Sequence, residues 1–140
     1  MSVDAFQRER GQTLSQLVGA ASRVIDVPLA IDDGDPATAR LGDAVFSLVC
    51  ADATPADHAR ADAAAIAGQA AGMDRLARAC PLVWRVTRVS GDDADELRLR
   101  AALAFALLGP ILPDEEATLY GVRGARARLT SLSARAASSR

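Results

Sequence analysis

Proline residues beside capping or acidic residues divide this chain, and they constrain its folding more than any other sequence feature. Asp35-Pro36 and Thr54-Pro55 each place a potential capping side chain directly before a proline, and Pro113 is followed by three acids. Proline is tolerated at the first helical position, because its missing N–H would have no partner there. Acids in a first turn also complement the helix dipole. Each junction therefore predicts the start of a helix.

Apolar residues recur at three- and four-residue steps after these junctions and elsewhere in the chain. Such spacing forms one apolar stripe along a helix, which packs against other stripes. Asp93 and Glu96 add a cap-like start, and Gly109-Pro110 a stop. The predicted helices occupy residues 4–25, 36–52, 54–79, 93–108 and 113–136.

These stripes predict an all-α fold. We expect a single-domain bundle of about five helices that spans residues 1–140, with residues 137–140 frayed. Apolar residues alternate near 27–31 and 82–88, and this alternation leaves room for short extended segments there.

Charge and apolar run length exclude several classes of protein. All sixteen basic residues are arginine, and the formal net charge of −2 argues against general binding to nucleic acid or an anionic membrane. The longest apolar run, residues 101–112, is too short to span a bilayer. The first twelve residues lack the apolar core of a secretion signal. We therefore expect a cytoplasmic protein in which Cys50 and Cys80 are reduced and buried.

The only histidine of the chain lies in a predicted first helical turn. His58 and Asp62 are four residues apart, so they share a helix face and could offer two metal ligands, with Asp57 beside them. Stable zinc sites take three or four protein ligands, so this pair is incomplete by itself. The alternative is an exposed histidine near carboxylates.

A pattern of apolar helix, short turn with proline and acids, and second helix occurs in residues 44–68 and again in residues 102–126. With this pattern the region from Leu41 to Leu129 resembles the TerB-like (tellurite-resistance) helical domains. The family's turn typically reads Asp-Gly followed by an acid, and neither turn here contains Asp-Gly. The resemblance implies an all-α bundle whose acidic turns associate with a metal. The metal ligands of such a domain would be Asp57, His58, Asp62, Glu115 and Glu116.

Catalytic and nucleotide-binding motifs are scarce. A phosphate-binding loop of the G-x-x-x-x-G-K-[ST] type cannot exist without lysine, and no G-x-S-x-G nucleophile elbow occurs. We expect no cofactor, and a non-catalytic helical protein-interaction module that serves as an accessory subunit or adaptor of a larger assembly. The alternative is a metal-associated TerB-like domain. A third hypothesis is an enzyme whose site pairs carboxylates with arginine.

Charge is distributed unevenly along the chain. Residues 26–62 hold eight aspartates and two arginines, whereas residues 121–140 hold five arginines and no acid. The basic last helix could meet an acidic surface, or its cations could simply suit the C-terminal end of a helix dipole. We expect the partner to be another protein or a second copy of the chain, and neither nucleic acid nor membrane. The predicted partner-binding residues are Arg123, Arg126, Arg128 and Arg135.

Overall fold

A six-stranded antiparallel sheet forms the centre of the fold, so the predicted all-α helical bundle is wrong. The computed structural model of the chain describes residues 2–19, 21, 25 and 27–138, with the side chains of all but residues 2 and 133–138. The strand order is β2-β3-β4-β5-β1-β6. The strands are β1 (Ser2–Gln7), β2 (Leu29–Asp32), β3 (Ala37–Leu41), β4 (Ala44–Asp52), β5 (Leu82–Ser90) and β6 (Ile111–Leu112). The helices are α1 (Leu14–Val18), α2 (Pro55–Ala67), α3 (Met73–Arg78), α4 (Asp93–Leu107) and α5 (Val122–Ser138).

One face of the sheet is packed against α1, α4 and α5. Alternate residues of the strands, such as Ala39, Phe46 and Val86, are buried in this main core together with Leu103 of α4 and Leu14 of α1. Burial of this apolar surface is the main favourable contribution to the stability of the fold, at roughly 25 cal/mol per Å².

The opposite face of the sheet is only partly covered. Helices α2 and α3 pack over β1, β5 and β6, where Phe6, Val83 and Leu112 contact the alanines of α2 in a second, smaller core. Strand β1 is therefore buried on both faces, and even Asp4 is only 6% exposed. A strand covered on both sides need not alternate polar and apolar residues. The sequence of β1 therefore does not show the alternation of polar and apolar residues that is typical of a half-buried strand.

The junction at Pro36 starts a strand rather than a helix. In β3 and β4 the buried residues alternate with half-exposed ones, and Leu41 pairs directly with Ala44 across Gly42 and Asp43. Gly42 has a φ of +59°, as a two-residue hairpin of this kind requires at its first position. The Gly-Asp dipeptide between two alternating runs is a hairpin signal. The apolar stripe of residues 36–52 also fits a helix, and it concealed this hairpin signal.

The two ends of the chain also differ from the prediction. Helix α1 covers five residues of the long helix predicted over 4–25, and β1 takes the first part of that segment. After Pro113 the chain is not helical until Val122, so this proline ends β6 instead of starting a helix. Helix α5 reaches Ser138, whereas residues 139 and 140 of the segment predicted to fray lie outside the described residues.

Other local predictions are confirmed. Thr54 caps α2 in a reciprocal box with Asp57, as expected. A helix does begin at Asp93, but its capping box is Asp92 with Asp95 instead of the predicted Asp93 with Glu96. The extended segments expected near 27–31 and 82–88 correspond to β2 and β5. The proposed repeat has different structures in its two copies. Residues 44–68 form a strand and a helix, whereas residues 102–126 contain the end of α4, β6 and the start of α5. No helix among the described residues is long and apolar enough to cross a bilayer.

The two cysteines differ in exposure, which corrects the expectation that both are buried. Cys80 is buried in the smaller core, whereas Cys50 is exposed near the end of β4. Burial raises the pKa of the Cys80 thiol to about 11. Both groups are free thiols.

One thiol per folded chain is expected to react with a disulfide reagent such as DTNB at neutral pH. Cys50 is accessible to the reagent, whereas Cys80 is shielded and its thiolate is scarce, so the second thiol should react only on unfolding. Absorbance titration with and without denaturant measures this difference. A Cys50→Ser variant that still releases one equivalent from the folded protein would contradict it.

Candidate functional site

Asp57 lies at the centre of a buried ion-pair cluster rather than in an open metal site. Its carboxylate is 2% exposed and accepts hydrogen bonds from Thr54, from Arg60 (2.5 Å) and from Arg85 (2.9 Å). Arg60 also pairs with Asp4 of β1 at 2.9 Å. This Asp57 cluster thus joins α2 to β1 and β5. Its two acids and two arginines balance in charge.

The pKa of Asp57 is lowered by this environment. Burial by itself raises the pKa, but the hydrogen bonds from Thr54 and Arg60 and the charge of Arg85 outweigh that effect. The carboxyl group is therefore held ionised, and its oxygens are already engaged. Such a group serves to fix the helix on the sheet.

The other predicted ligands of α2 are also engaged. The ring of His58 stacks on Phe6, with ring centroids 6.5 Å apart, and its Nε2 lies 3.4 Å from the carbonyl oxygen of Cys80. Asp62 accepts two hydrogen bonds from Arg78, an exposed link between α2 and α3. The two side chains thus contact different neighbours.

A second cluster surrounds Arg100 of α4, and it includes Glu115, one of the two metal ligands predicted after Pro113. Arg100 is 2% exposed and binds Glu96 at 2.5 Å, both oxygens of Glu115, and the hydroxyl of Tyr120 at 3.2 Å. Asp114 lies 3.7 Å away. This Arg100 cluster ties the segment after β6 to α4.

The pKa values of two acids in the Arg100 cluster are shifted in opposite directions. Burial and the neighbouring Glu115 raise the pKa of Asp114, whereas the hydrogen bonds from Arg100 outweigh burial and lower the pKa of Glu115. A cavity of about 290 Å³ borders the cluster. Its acids are only partly buried, with exposures of 25% for Asp114 and 47% for Glu115. Asp114 and Glu115 thus lie partly exposed beside a buried arginine.

Glu116 and Arg128 form a third contact beside this cluster. Arg128 binds Glu116 at 2.8 Å and lies over the ring of Tyr120, 3.9 Å from its centroid. A guanidinium over an aromatic face is a stabilising cation–π arrangement. Arg128 therefore holds α5 to the preceding segment and is committed within the chain.

The five predicted metal ligands do not converge. Asp57, His58 and Asp62 lie on α2, whereas Glu115 and Glu116 lie between β6 and α5. Among the described side chains, no group of three or more His, Cys, Asp or Glu is placed to hold a metal ion. Each of the four acids is paired with an arginine instead.

The predicted partner-binding arginines have different environments. Arg123 and Arg126 are exposed on α5, as a partner-binding role would require. Arg128 is used internally, and the side chain of Arg135 lies outside the described part of the chain. Of the four predicted arginines, Arg123 and Arg126 are thus exposed in the described part of the structure.

The largest feature that the sequence analysis missed is the uncovered part of the sheet, which we call the open face. It lies opposite the main core on β3, β4 and β5, beyond the edge of α2 and α3. Val49 is 43% exposed there. The cross-strand pairs Arg40 with Val45, and Ser47 with Thr87, continue the face. Its residues, all exposed or half-exposed, are Thr38, Arg40, Val45, Ser47, Val49 and Thr87.

The open face has a basic margin. Arg85 stands opposite Val49 and is half-exposed, and Arg40 lies on the other side of β4. No acid points to this face from β3, β4 or β5, whereas the exposed Asp32 of β2, opposite Thr38, borders it. The surface is thus a strip of valines and hydroxyl groups between two guanidinium groups. The alternation of β4 could have revealed it, once that segment was read as a strand.

Comparison of this chain with models of known protein families, with curated proteins and with solved structures finds no match. The resemblance to TerB-like domains stays a prediction, although the all-α fold that it implied is wrong.

Proposed function

We propose that the protein is a non-catalytic, cytoplasmic interaction module, an accessory subunit or adaptor that binds a partner protein over its open face. The observation that carries this proposal is that the second face of the sheet is covered over β1, β5 and β6 but is open over β3 and β4. Three helices pack against one face, whereas β4 exposes Val49 on the other. Uncovered apolar surface rimmed by polar residues is typical of protein-binding sites.

The side chains of the open face indicate what kind of partner surface would fit it. Its valines favour an apolar contact, and its hydroxyl groups can hydrogen-bond to a polar backbone. Arg40 favours a carboxylate at one edge of the contact, whereas Arg85 at the other edge is already paired with Asp57. The partner surface is therefore apolar at its centre and acidic at the margin that meets Arg40. Two free thiols fit a reducing compartment.

A charged substitution at the centre of the open face tests the proposal. Val49→Glu should weaken binding of the partner at least tenfold, because a carboxylate would be desolvated in the contact. Phe105→Glu is the matched control, since Phe105 is 42% exposed but lies on α4, on the other side of the sheet. Co-purification from the native host identifies the partner, and calorimetry measures its affinity for each variant.

The basic helix α5 provides a competing location for the same function. An Arg123→Ala/Arg126→Ala variant should leave the affinity within about twofold if the open face is the binding surface. Loss of binding in this variant, with binding retained by Val49→Glu, would assign the function to α5 and refute the open face.

A further inference from the structure

The two edges of the sheet differ in how they end. At the β6 edge, Ile111 exchanges two backbone hydrogen bonds with Tyr120, at 2.7 and 3.2 Å, so the chain caps this edge itself. At the other edge, β2 pairs with β3, and no described strand pairs with its outer side. An unpaired edge presents backbone groups that can pair with another strand.

Strand β2 is short, at four residues, and follows Pro28, but it carries few other features that usually prevent such pairing. Its sequence Leu-Ala-Ile-Asp contains no proline, no basic residue and no bulge in its register with β3. Its one charge, Asp32, is at the end of the strand. Natural edge strands are usually blocked by such devices, often by lysine or proline.

The residues of β2 are complementary to themselves in one antiparallel register. If Ala30 lies opposite Ala30 of a second copy, Leu29 of each chain lies opposite Ile31 of the other. Both of these side chains point to the helix-covered side and are half-exposed in the single chain. The two Asp32 residues would be four positions apart along the strand direction, about 13 Å, so their repulsion would be weak.

We propose that a second copy of this chain pairs antiparallel along β2, with the two-fold axis passing through Ala30. The pairing joins two six-stranded sheets edge to edge and places the helices of both copies on corresponding sides. It buries Leu29 against Ile31 in two symmetric contacts, as an isologous dimer requires. The open faces of the two copies then form one continuous surface. The inference concerns the edge and does not depend on what binds the open face.

Cross-linking tests the register directly. Directly opposite residues in an antiparallel pair have Cβ atoms about 4.5–5.5 Å apart, which is close to the separation in a disulfide. In a Cys50→Ser background, which removes the exposed native thiol, Ala30→Cys should give a covalent dimer on oxidation or with a short bismaleimide. Thr87→Cys in the same background is the control, because Thr87 is exposed three strands away from the edge.

Light scattering supplies the second measurement. The wild-type chain should approach twice its 14.6 kDa mass as its concentration rises. Ala30→Asp should remain monomeric, because two carboxylates would face each other across the axis, and it should keep the Tm that the wild type has at concentrations where it is itself monomeric. A wild-type monomer at all concentrations, a dimer unaffected by Ala30→Asp, or equal cross-linking of the Ala30→Cys and Thr87→Cys variants would each overturn the proposal. Val49→Glu tests the open face separately.

Discussion

Replacing Arg100 with methionine is expected to lower the free energy of unfolding by about 4 kcal/mol and Tm by about 12 °C. Methionine fills much of the space of the arginine stem, so the loss comes mainly from charge. The guanidinium is 2% exposed and is the shared partner of Glu96 and Glu115. Without it, these carboxylates and Asp114 would stay close together around an apolar group. Urea titration followed by circular dichroism measures the change.

A neighbouring arginine on the same helix provides the control. Arg98 is 36% exposed and pairs only with Asp95 in the described structure. Arg98→Met should therefore lower the free energy of unfolding by less than about 1 kcal/mol, as for other surface ion pairs. Adding Glu115→Gln to Arg100→Met should restore part of the stability, because it removes one of the repelling carboxylates. Equal losses for Arg98→Met and Arg100→Met would show that the buried position adds nothing.

The start of α2 was predictable because its determinants are local, whereas the similar junctions at Pro36 and Pro113 do not start helices. Thr54, Pro55 and Asp57 form a capping box within four residues, and the structure contains it as expected. The strands were hidden for the opposite reason. Ala37, Ala39 and Ala44 are buried strand residues, although alanine is the strongest helix former. Only their pairing with residues distant in the chain decides the outcome.

The candidate site shows the same limit. The sequence identified Asp57 through its capping position, and the pairing of Asp57 with Arg60 lies within one helical turn. Arg85, however, is 28 residues away on β5, and Asp4 is on β1. Such contacts depend on the sheet register, which capping and periodicity do not determine. The expectation of metal ligands came from the TerB-like resemblance and from the spacing of His58 and Asp62, neither of which reveals such distant partners.

Replacing Asp57 with asparagine is expected to lower the free energy of unfolding by about 3 kcal/mol and Tm by about 10 °C at neutral pH. The side chain would keep part of its capping role, since asparagine oxygen also accepts hydrogen bonds. Arg60 and Arg85 would lose their buried counter-charge, and one nitrogen of Arg85 is already buried without a hydrogen-bond partner. Calorimetry of the variant and the wild-type protein measures the difference in Tm.

The pH dependence of that difference identifies its cause. The pKa of Asp57 is lower in the folded chain than in the unfolded chain, so its contribution is complete above the unfolded pKa of about 3.9. As the pH falls through the lower, folded pKa, the wild-type carboxyl is protonated and the contribution is lost. The Tm gap between wild type and Asp57→Asn should therefore be constant from pH 7 to about 5 and shrink below about pH 4. Asp62→Asn, which removes an exposed pair on the same helix, should show only a small gap throughout. A gap for Asp57→Asn that does not shrink in acid would mean that lost packing, rather than lost charge, destabilises the variant.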